Sequence, residues 1–572
     1  MRRTRDVLVV GGGIAGIAIA ERLAREAKRQ GKLLRIMLIE REEQLASAAS
    51  GGLEGWLHTG MLYTKLENPR TLINCLNSFE DLVNWYALDP LFSSRERCNL
   101  ATPAGGPGKP RLVPRDDGWF EGSIEFVVET DPQDPEWTAS CDRIHTRSAV
   151  AFHDPAWSHP TLGLCQAPHP FNPPVAPAHL HPEARSEVPP PLSTDLVMAT
   201  RDLLCDLASS AAACGVEIVT GYEALIDHAE ACDSAAARPK TPVRFRAIDD
   251  HNDTFEVEAT QTIFAAGGTI SPTDTAFFEP DQRVHLESRQ SVMVVVTPPI
   301  QSGNFTRFSP DPSHDLNHVA HRAPHDGTAP FSILADSNAF AVDAPEADLE
   351  LAAQRLVDKA EQTLGPLRNT GHRLTWYACT KTECLVENGY DRNYCYWWGP
   401  ALTQLAHEAW QTPRNTNKAE IERTILDWVL DPQTPLPAPI ESDWWAMRKA
   451  LHFAALATLP GANSDGRDPL GHVRATLHAA IKRDRTRPPP AELCVVPGKF
   501  SLFPSVAHQV YLEMELRGLF CTLADGQSTP QTFDEQLIAP RSARLASELD
   551  IPPGHLTRWT RDRAIAAVTP RR

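Results

Sequence analysis

The stretch "VLVVGGGIAGIAIAERLA", residues 7–24, decides the fold. An apolar run ends in three consecutive glycines, and a helical pattern starts at once. A glycine cluster costs backbone entropy on folding, so something at this junction must offset it. Gly11, Gly13 and Gly16 form G-x-G-x-x-G. The first permits a tight turn, the second lets the backbone approach a pyrophosphate, and the third lets the helix lie close against the strand. The free N–H groups at the helix start, around Ile14 and Ala15, then face the anion. "DVLVV", 6–10, reads as a buried parallel strand, Ile14, Ile17, Ala18 and Leu23 fall at helical spacing over 14–29, and "LLRIMLIE", 33–40, is a second strand. This is a β-α-β unit. Glu40 ends its second strand, 24 residues after Gly16, where a carboxylate accepts hydrogen bonds from ribose hydroxyls. A bare glycine motif is weak, but strand, turn, helix, second strand and terminal acid agree on a dinucleotide site.

The bulk numbers bound the rest. At 572 residues the chain exceeds what one core usually serves, so two or three lobes are expected. No run approaches eighteen apolar residues, and no transmembrane helix is expected. The arginines before the first apolar run, Arg2, Arg3 and Arg5, superficially suggest a signal peptide, but that run is short and leads into the glycine turn. The formal net charge of −18 argues against nucleic acid as the main partner, because phosphate backbones need clustered Lys and Arg. Twelve cysteines include no C-x-x-C pair, the closest being Cys379 and Cys384. We therefore expect no metal site and no dithiol centre, but buried thiols in a reducing cytoplasm.

Along the chain, 69–86 reads as a helix. Residues 99–191 are rich in Pro and Gly and read partly as a surface excursion, interrupted by strand-like pieces such as "GSIEFVVET". "STDLVMATRDLLCDLASSAAACGVEIVTGYEAL", 193–225, reads as a capped helix, a stop at Gly215 and a strand. "VRFRAI", "TFEVEAT" and "QTIFAAGG" look like successive strands. "QSVMVVVTPP" and "PFSILADSNAFAVD" suggest a second, mostly antiparallel sheet, followed by an amphipathic helix at 346–364. Residues 400–490 are helical and loop-rich, with Asn417 and Glu420 at capping-box spacing. "LCVVPGKFSLFPSVAHQVYLEMELRGL", 493–519, reads as strand, glycine turn and long helix, and the last 50 residues as an appendage.

Three further segments carry a resemblance: His58, Gly60 and Tyr63 in "SAASGGLEGWLHTGMLY", Ala265, Ala266 and Gly267 in "QTIFAAGG", and Pro497, Gly498, Lys499 and Ser501 in "VVPGKFSLFP". With the amino-terminal unit they make the chain similar to FAD-dependent oxidoreductases of the D-amino-acid oxidase superfamily. Within it the sequence most resembles the glycerol-3-phosphate dehydrogenase and L-2-hydroxyglutarate oxidase branch. The resemblance covers roughly 1–90, 193–399 and 490–518; 99–191 and 400–490 depart from it. It implies an α/β fold, α+β overall: a Rossmann-type FAD-binding domain with a mixed or antiparallel substrate sheet and helical insertions. The implied division is 1–90, 193–275 and 491–520 for FAD, 91–192 and 276–399 for the substrate lobe, 400–490 for a helical insertion and 521–572 for the appendage. It implies FAD held by Gly11, Gly13, Ile14, Ala15, Gly16, Glu40, Arg41, Ser50, Gly51, His58, Ala265, Ala266, Gly267, Gly498, Lys499, Phe500 and Ser501.

A helix starting at Gly498 would aim N–H groups, and Lys499 a charge, at the flavin pyrimidine edge. His58 would run beside the isoalloxazine, where a histidine serves as a base near neutral pH. The resembling enzymes pass a hydride from a C–H beside a hydroxyl or amine to flavin N5. Their substrates often carry carboxylate or phosphate, so a cationic clamp is expected. Lys381, Arg373 and the aromatic Tyr377 are its candidates, with Arg289 and Arg392 behind them; "YCYWWGP", 394–400, reads as core or pocket wall. The substrate would be a 2-hydroxy acid, a polyol phosphate or an amino acid. Oxygen, a quinone or a carrier protein would accept the electrons, the quinone through peripheral membrane contact. The other functional class is a protein that keeps the FAD fold and binds or assembles partners through its two unusual insertions.

Overall fold

The computed structural model describes residues 2–52, 54–63, most of 75–101 and 111–142, and 195–225, 242–267, 284–322, 329–386, 492–495, 499–539 and 553–559, save single positions. The Pro-rich 145–194, the insertion 400–490 with Asn417 and Glu420, Arg392, the 394–400 cluster, Pro497 and Gly498 lie outside them.

The chain opens with β1 (Arg2–Val10), α1 (Ile14–Arg29) and β2 (Ile36–Ile39), then a one-turn helix α2 (Ala49–Gly52) and the two-residue β3 (Trp56–Leu57). β4 (Phe120–Val128), β5 (Leu196–Met198) and α3 (Thr200–Ala213) follow, then β6 (Glu217–Val219), β7 (Tyr222–Leu225), β8 (Val243–Ala247) and β9 (Thr254–Phe264). Next come β10 (Val284–Thr297), β11 (Asn304–Phe308), β12 (Leu316–His321), β13 (Phe331–Ala335), β14 (Phe340–Ala341), α4 (Glu346–Leu364) and β15 (Arg373–Val386). β16 (Glu492–Cys494), α5 (Phe503–Leu516) and β17 (Leu556–Arg558) close the series.

Two sheets result. The first has the order β6-β2-β1-β9-β8-β7, with β16 also on β9; β6, β2, β1, β9 and β16 are parallel and β8 and β7 antiparallel. The second has the order β17-β15-β10-β13-β12-β11-β4-β5-β3, with β14 on β10, and is mostly antiparallel. This is the expected mixed α/β architecture.

Four local expectations need correction. "TFEVEAT" and "QTIF" are one strand, β9. Its first half pairs with β8 and alternates buried Phe255 and Val257 with more exposed residues, whereas its last four residues lie centrally, all buried. The change in burial, not a turn, breaks the sequence texture. Second, the helix of 193–225 starts later than its leading polar residues suggest: α3 begins at Thr200 with Ala199 as its N-cap. The intervening Leu196–Met198 pairs with β3 and β4, so tertiary pairing overrides a local capping signal. Third, α5 begins at Phe503 after a 3-10 turn over Phe500–Leu502, later than Gly498.

Fourth, the described residues of the last 50 are woven into the body. Leu33 N donates to Ala524 O at 2.9 Å, Leu45 N to Leu537 O at 2.7 Å, and β17 adds a parallel strand to β15.

Helix α1 packs on β1 and β2 and against α3 and α5, and every residue from Ile14 to Ala27 is buried. Its charges are therefore buried too. Arg25 donates to Glu21 at 2.7 Å and to Asp89, Arg29 bridges Glu26 and Asp89, and Ser210 Oγ of α3 donates to Glu21 at 2.8 Å. Burial pushes the Asp89 carboxyl up, but the Arg29 hydrogen bond and the Arg25 charge outweigh it and hold the carboxyl below its usual range. In the second sheet, Val292, Val294, Val296, Leu374 and Trp376 pack under α4. The opposite face carries Met293, Val295, Tyr377 and Cys379, and Ala49 of α2 packs on it. That face is turned toward the segment following the glycine turn.

Candidate active site

The parallel strands end in register: Val10 pairs with Ile39 and Phe264, and Phe264 with Cys494. The loops after them leave the same carboxyl edge, where ligands bind in open α/β sheets. They carry the glycine turn, Glu40, Ala265–Gly267 and the closing segment.

The three consecutive glycines answer to three neighbours. Gly11 sits at φ +111°, and a Cβ there would lie 2.5 Å from the Ala265 carbonyl oxygen. A Cβ at Gly12 would lie 2.9 Å from the Glu40 side chain and 2.4 Å from Leu45. Gly12, which the motif does not use, thus admits the acid. Glu40 accepts from Gly12 N at 2.6 Å and from Glu42 N at 2.9 Å, so its carboxylate lies against the turn. Gly13 differs: a Cβ there meets only Ser50 Oγ, at 3.1 Å. No backbone crowds Gly13, only a hydroxyl that can turn aside, which fits a position kept bare for a diphosphate. At Gly16 a Cβ would sit 1.9 Å from Gly11 O, so only glycine lets helix and strand approach this closely. Ile14 N donates to Ser50 Oγ at 3.0 Å, bringing Ser50 to the helix start, and a Cβ on Gly51 would meet Ala46 O at 2.4 Å. Ala15 is buried in the first turn of α1. Ala265 N donates to Val10 O at 2.8 Å, placing Ala265, Ala266 and Gly267 beside Gly11. Arg41 is exposed and pairs with Glu42 at 2.9 Å.

The closing segment reaches the same place. Ser501 Oγ accepts from His58 N at 2.9 Å and donates to Trp56 O at 3.1 Å, and its carbonyl accepts from Ser78 at 2.7 Å. Phe500 is buried in the core around α5. Lys499 Nζ lies 4.7 Å from the Tyr63 ring centroid, a cation–π contact. The His58 ring packs at 4.7 Å from Trp56 and 5.5 Å from Tyr63. Beneath it lies Asp195, fully buried, which the sequence did not single out. Its Oδ2 accepts from Trp56 Nε1 at 2.8 Å, and its Oδ1 from Thr59 N at 2.9 Å and Thr59 Oγ1 at 2.6 Å. No local pattern marks Asp195, because it joins the site across more than 130 residues. Burial pushes the Cys75 thiol up to about 12, with Lys499 lowering and Asp195 raising it, so both charges act on one buried spot.

The substrate candidates separate. Tyr377 donates to Gly52 O at 2.6 Å, tying the second sheet to α2. Lys381 lies directly opposite Arg289 in the β10–β15 ladder, on the same face as Tyr377 and Cys379. Burial pushes the Cys379 thiol up to about 12, Glu54 adding to the rise and Lys381 opposing it. Arg373 is exposed at the other end of β15, eight residues from Lys381, roughly 26 Å along the strand. Among the described residues no His, Cys, Asp and Glu cluster has the geometry of a metal site, and no helix is long and apolar enough to cross a membrane.

Comparison with known proteins agrees with this geometry. Residues 6–119 match the DAO family of FAD dependent oxidoreductases. Over this stretch the chain is similar to FAD dependent oxidoreductases of the DAO family, and the cradle fits the dinucleotide FAD. A stretch of 86 residues is 37% identical to the tRNA 5-methylaminomethyl-2-thiouridine biosynthesis bifunctional protein of Burkholderia ambifaria, covering 15% of this chain and 12% of that protein. Another of 82 residues is 30% identical to an L-2-hydroxyglutarate dehydrogenase of Indibacter alkaliphilus, covering 14% of this chain and 18% of that one. The matched stretches thus span less than a fifth of these relatives. An FAD-dependent oxidoreductase of Pseudomonas aeruginosa of known structure aligns over 96% of this chain and 99% of its own, at 14% identity and a TM-score of 0.44.

Proposed function

We propose that the chain is a dehydrogenase or oxidase that removes two electrons and two protons' worth of hydrogen from a small anionic metabolite, a 2-hydroxy acid before a polyol phosphate or amino acid. The observation that carries this is the hydrogen bond from His58 N to Ser501 Oγ. It brings the histidine segment onto the closing segment, whose strand β16 lies next to β9 and so two strands from the glycine turn. When bound, FAD supplies the hydride acceptor. His58 takes the proton from the substrate hydroxyl or amine. Lys381 and Arg289, directly opposite each other across the β10–β15 ladder, hold the anionic group. Lys499 favours negative charge on the cofactor side. The name of one relative, an L-2-hydroxyglutarate dehydrogenase, supports the acidic 2-hydroxy acid.

The test is anaerobic reduction. Purified yellow protein is mixed with L- and D-2-hydroxy acids, polyol phosphates and amino acids, and flavin absorbance is followed. Rapid bleaching by an anionic hydroxy acid is the expected result. Bleaching by none of them would favour the partner-binding reading.

A further inference from the structure

We infer that Asp195 is the positioning residue for His58: it holds the neutral imidazole with its proton on Nδ1 and stabilises the imidazolium that forms. This rests on the reading of His58 as the base. The Nδ1 atom of His58 is buried and has no hydrogen-bond partner, and Asp195 Oδ2 lies 3.5 Å away. At that distance the pair is an ion-pair contact that a small ring rotation converts into a hydrogen bond.

Asp195 is itself held. It is fully buried, and three donors from Trp56 and Thr59, flanking His58 on both sides, fix both of its oxygens. The carboxylate therefore cannot swing away, and the imidazole adapts to it. A proton on Nδ1 facing a carboxylate leaves the Nε2 lone pair as the site that accepts a proton. Proton transfer from a substrate hydroxyl to Nε2 breaks that O–H bond, forms N–H and leaves an imidazolium. The carboxylate of Asp195, 3.5 Å from Nδ1, lies against that cation.

The other titratable groups around the ring are Tyr63 on its own segment, Lys499 on the closing segment against Tyr63, and Cys75, whose thiol burial keeps protonated. Lys499 opposes the imidazolium, so Asp195 is the one described anion at the ring that favours it.

Two measurements test this. Imidazole 15N spectra of the FAD-loaded protein, without substrate, report the His58 tautomer without turnover, the His58 signal being assigned among the 21 histidines by its loss in His58→Ala. An Nδ1–H tautomer is the expected result, and a dominant Nε2–H tautomer overturns the proposal whatever the substrate proves to be. The second is the pH profile of anaerobic flavin reduction in Asp195→Asn. Its rate should fall about 100-fold at neutral pH while KM changes little, and its acid limb should move about one pH unit lower. Asp195→Glu should recover part of the rate. An unshifted profile with Asp195→Glu no better than Asp195→Asn would make Asp195 purely structural. If the tautomer is as expected but His58→Ala reduces flavin at the parent rate, the base reading fails and not the Asp195–His58 contact.

Discussion

The diphosphate cradle and the His58 pocket are built on opposite plans. The cradle draws on some thirty contiguous residues, from Val7 to Glu40, with Ser50 and Ala265 closing it from nearby strand ends. The pocket draws on Trp56 to Tyr63, Asp195 and Lys499 to Ser501, each on a different part of the chain. The first is a local solution to backbone crowding, and the second exists only when two sheets have folded. Damage to the cradle should therefore cost fold or cofactor, whereas damage to the pocket should cost rate.

The sharpest break lies inside the cradle itself. Gly16→Val places a side chain on Gly11 O and should yield no folded soluble protein. Gly13→Val meets only the Ser50 hydroxyl, which can turn aside, so it should fold with a modest loss of apo stability and be colourless. Circular dichroism and the 280-to-450 nm absorbance ratio separate the two. A yellow Gly13→Val protein would contradict the diphosphate assignment.

In the pocket, His58→Ala should slow flavin reduction by about 10²–10⁴ with FAD content unchanged. Equal rates in mutant and parent would remove His58 from the chemistry. Between the two regions stands the buried network under α1. Asp89→Asn leaves Arg25 short of a buried partner and should cost about 3–5 kcal/mol of stability. Because the native Asp89 carboxyl is held below its ordinary value, its contribution is complete above the unfolded value near 4 and fades as pH falls through the lower, folded value. Parent protein should thus lose stability below pH 4 more steeply than Asp89→Asn; parallel curves in a pH-dependent thermal melt would refute this. The smallest effect belongs to the cation pair. Lys381→Met should raise KM for an anionic substrate about tenfold and leave FAD affinity and kcat nearly unchanged. A KM equal to the parent's would move the clamp elsewhere.

The legibility of the sequence follows the same division. The β-α-β unit, the acid that closes its second strand and helix α4 over 346–364 were readable because turn chemistry and periodicity are local. The role of Gly12 was not, because it depends on the Glu40 side chain folding back onto the turn. Asp195 was not legible, since its partners Trp56 and Thr59 lie more than 130 residues earlier. Arg373 and Lys381 read as one clamp because they share a strand, yet the extended backbone separates them. The last 50 residues read as an appendage because nothing in a three-residue strand such as β17 reveals its partner.

The most direct test of the central claim is a crystal structure of the protein with FAD bound. The diphosphate should lie against the Gly11–Ile14 turn and the ribose on Glu40. The isoalloxazine should lie between the His58–Lys499 side and the sheet face that carries Tyr377 and Lys381. A flavin whose ring system touches neither His58 nor the closing segment would contradict it.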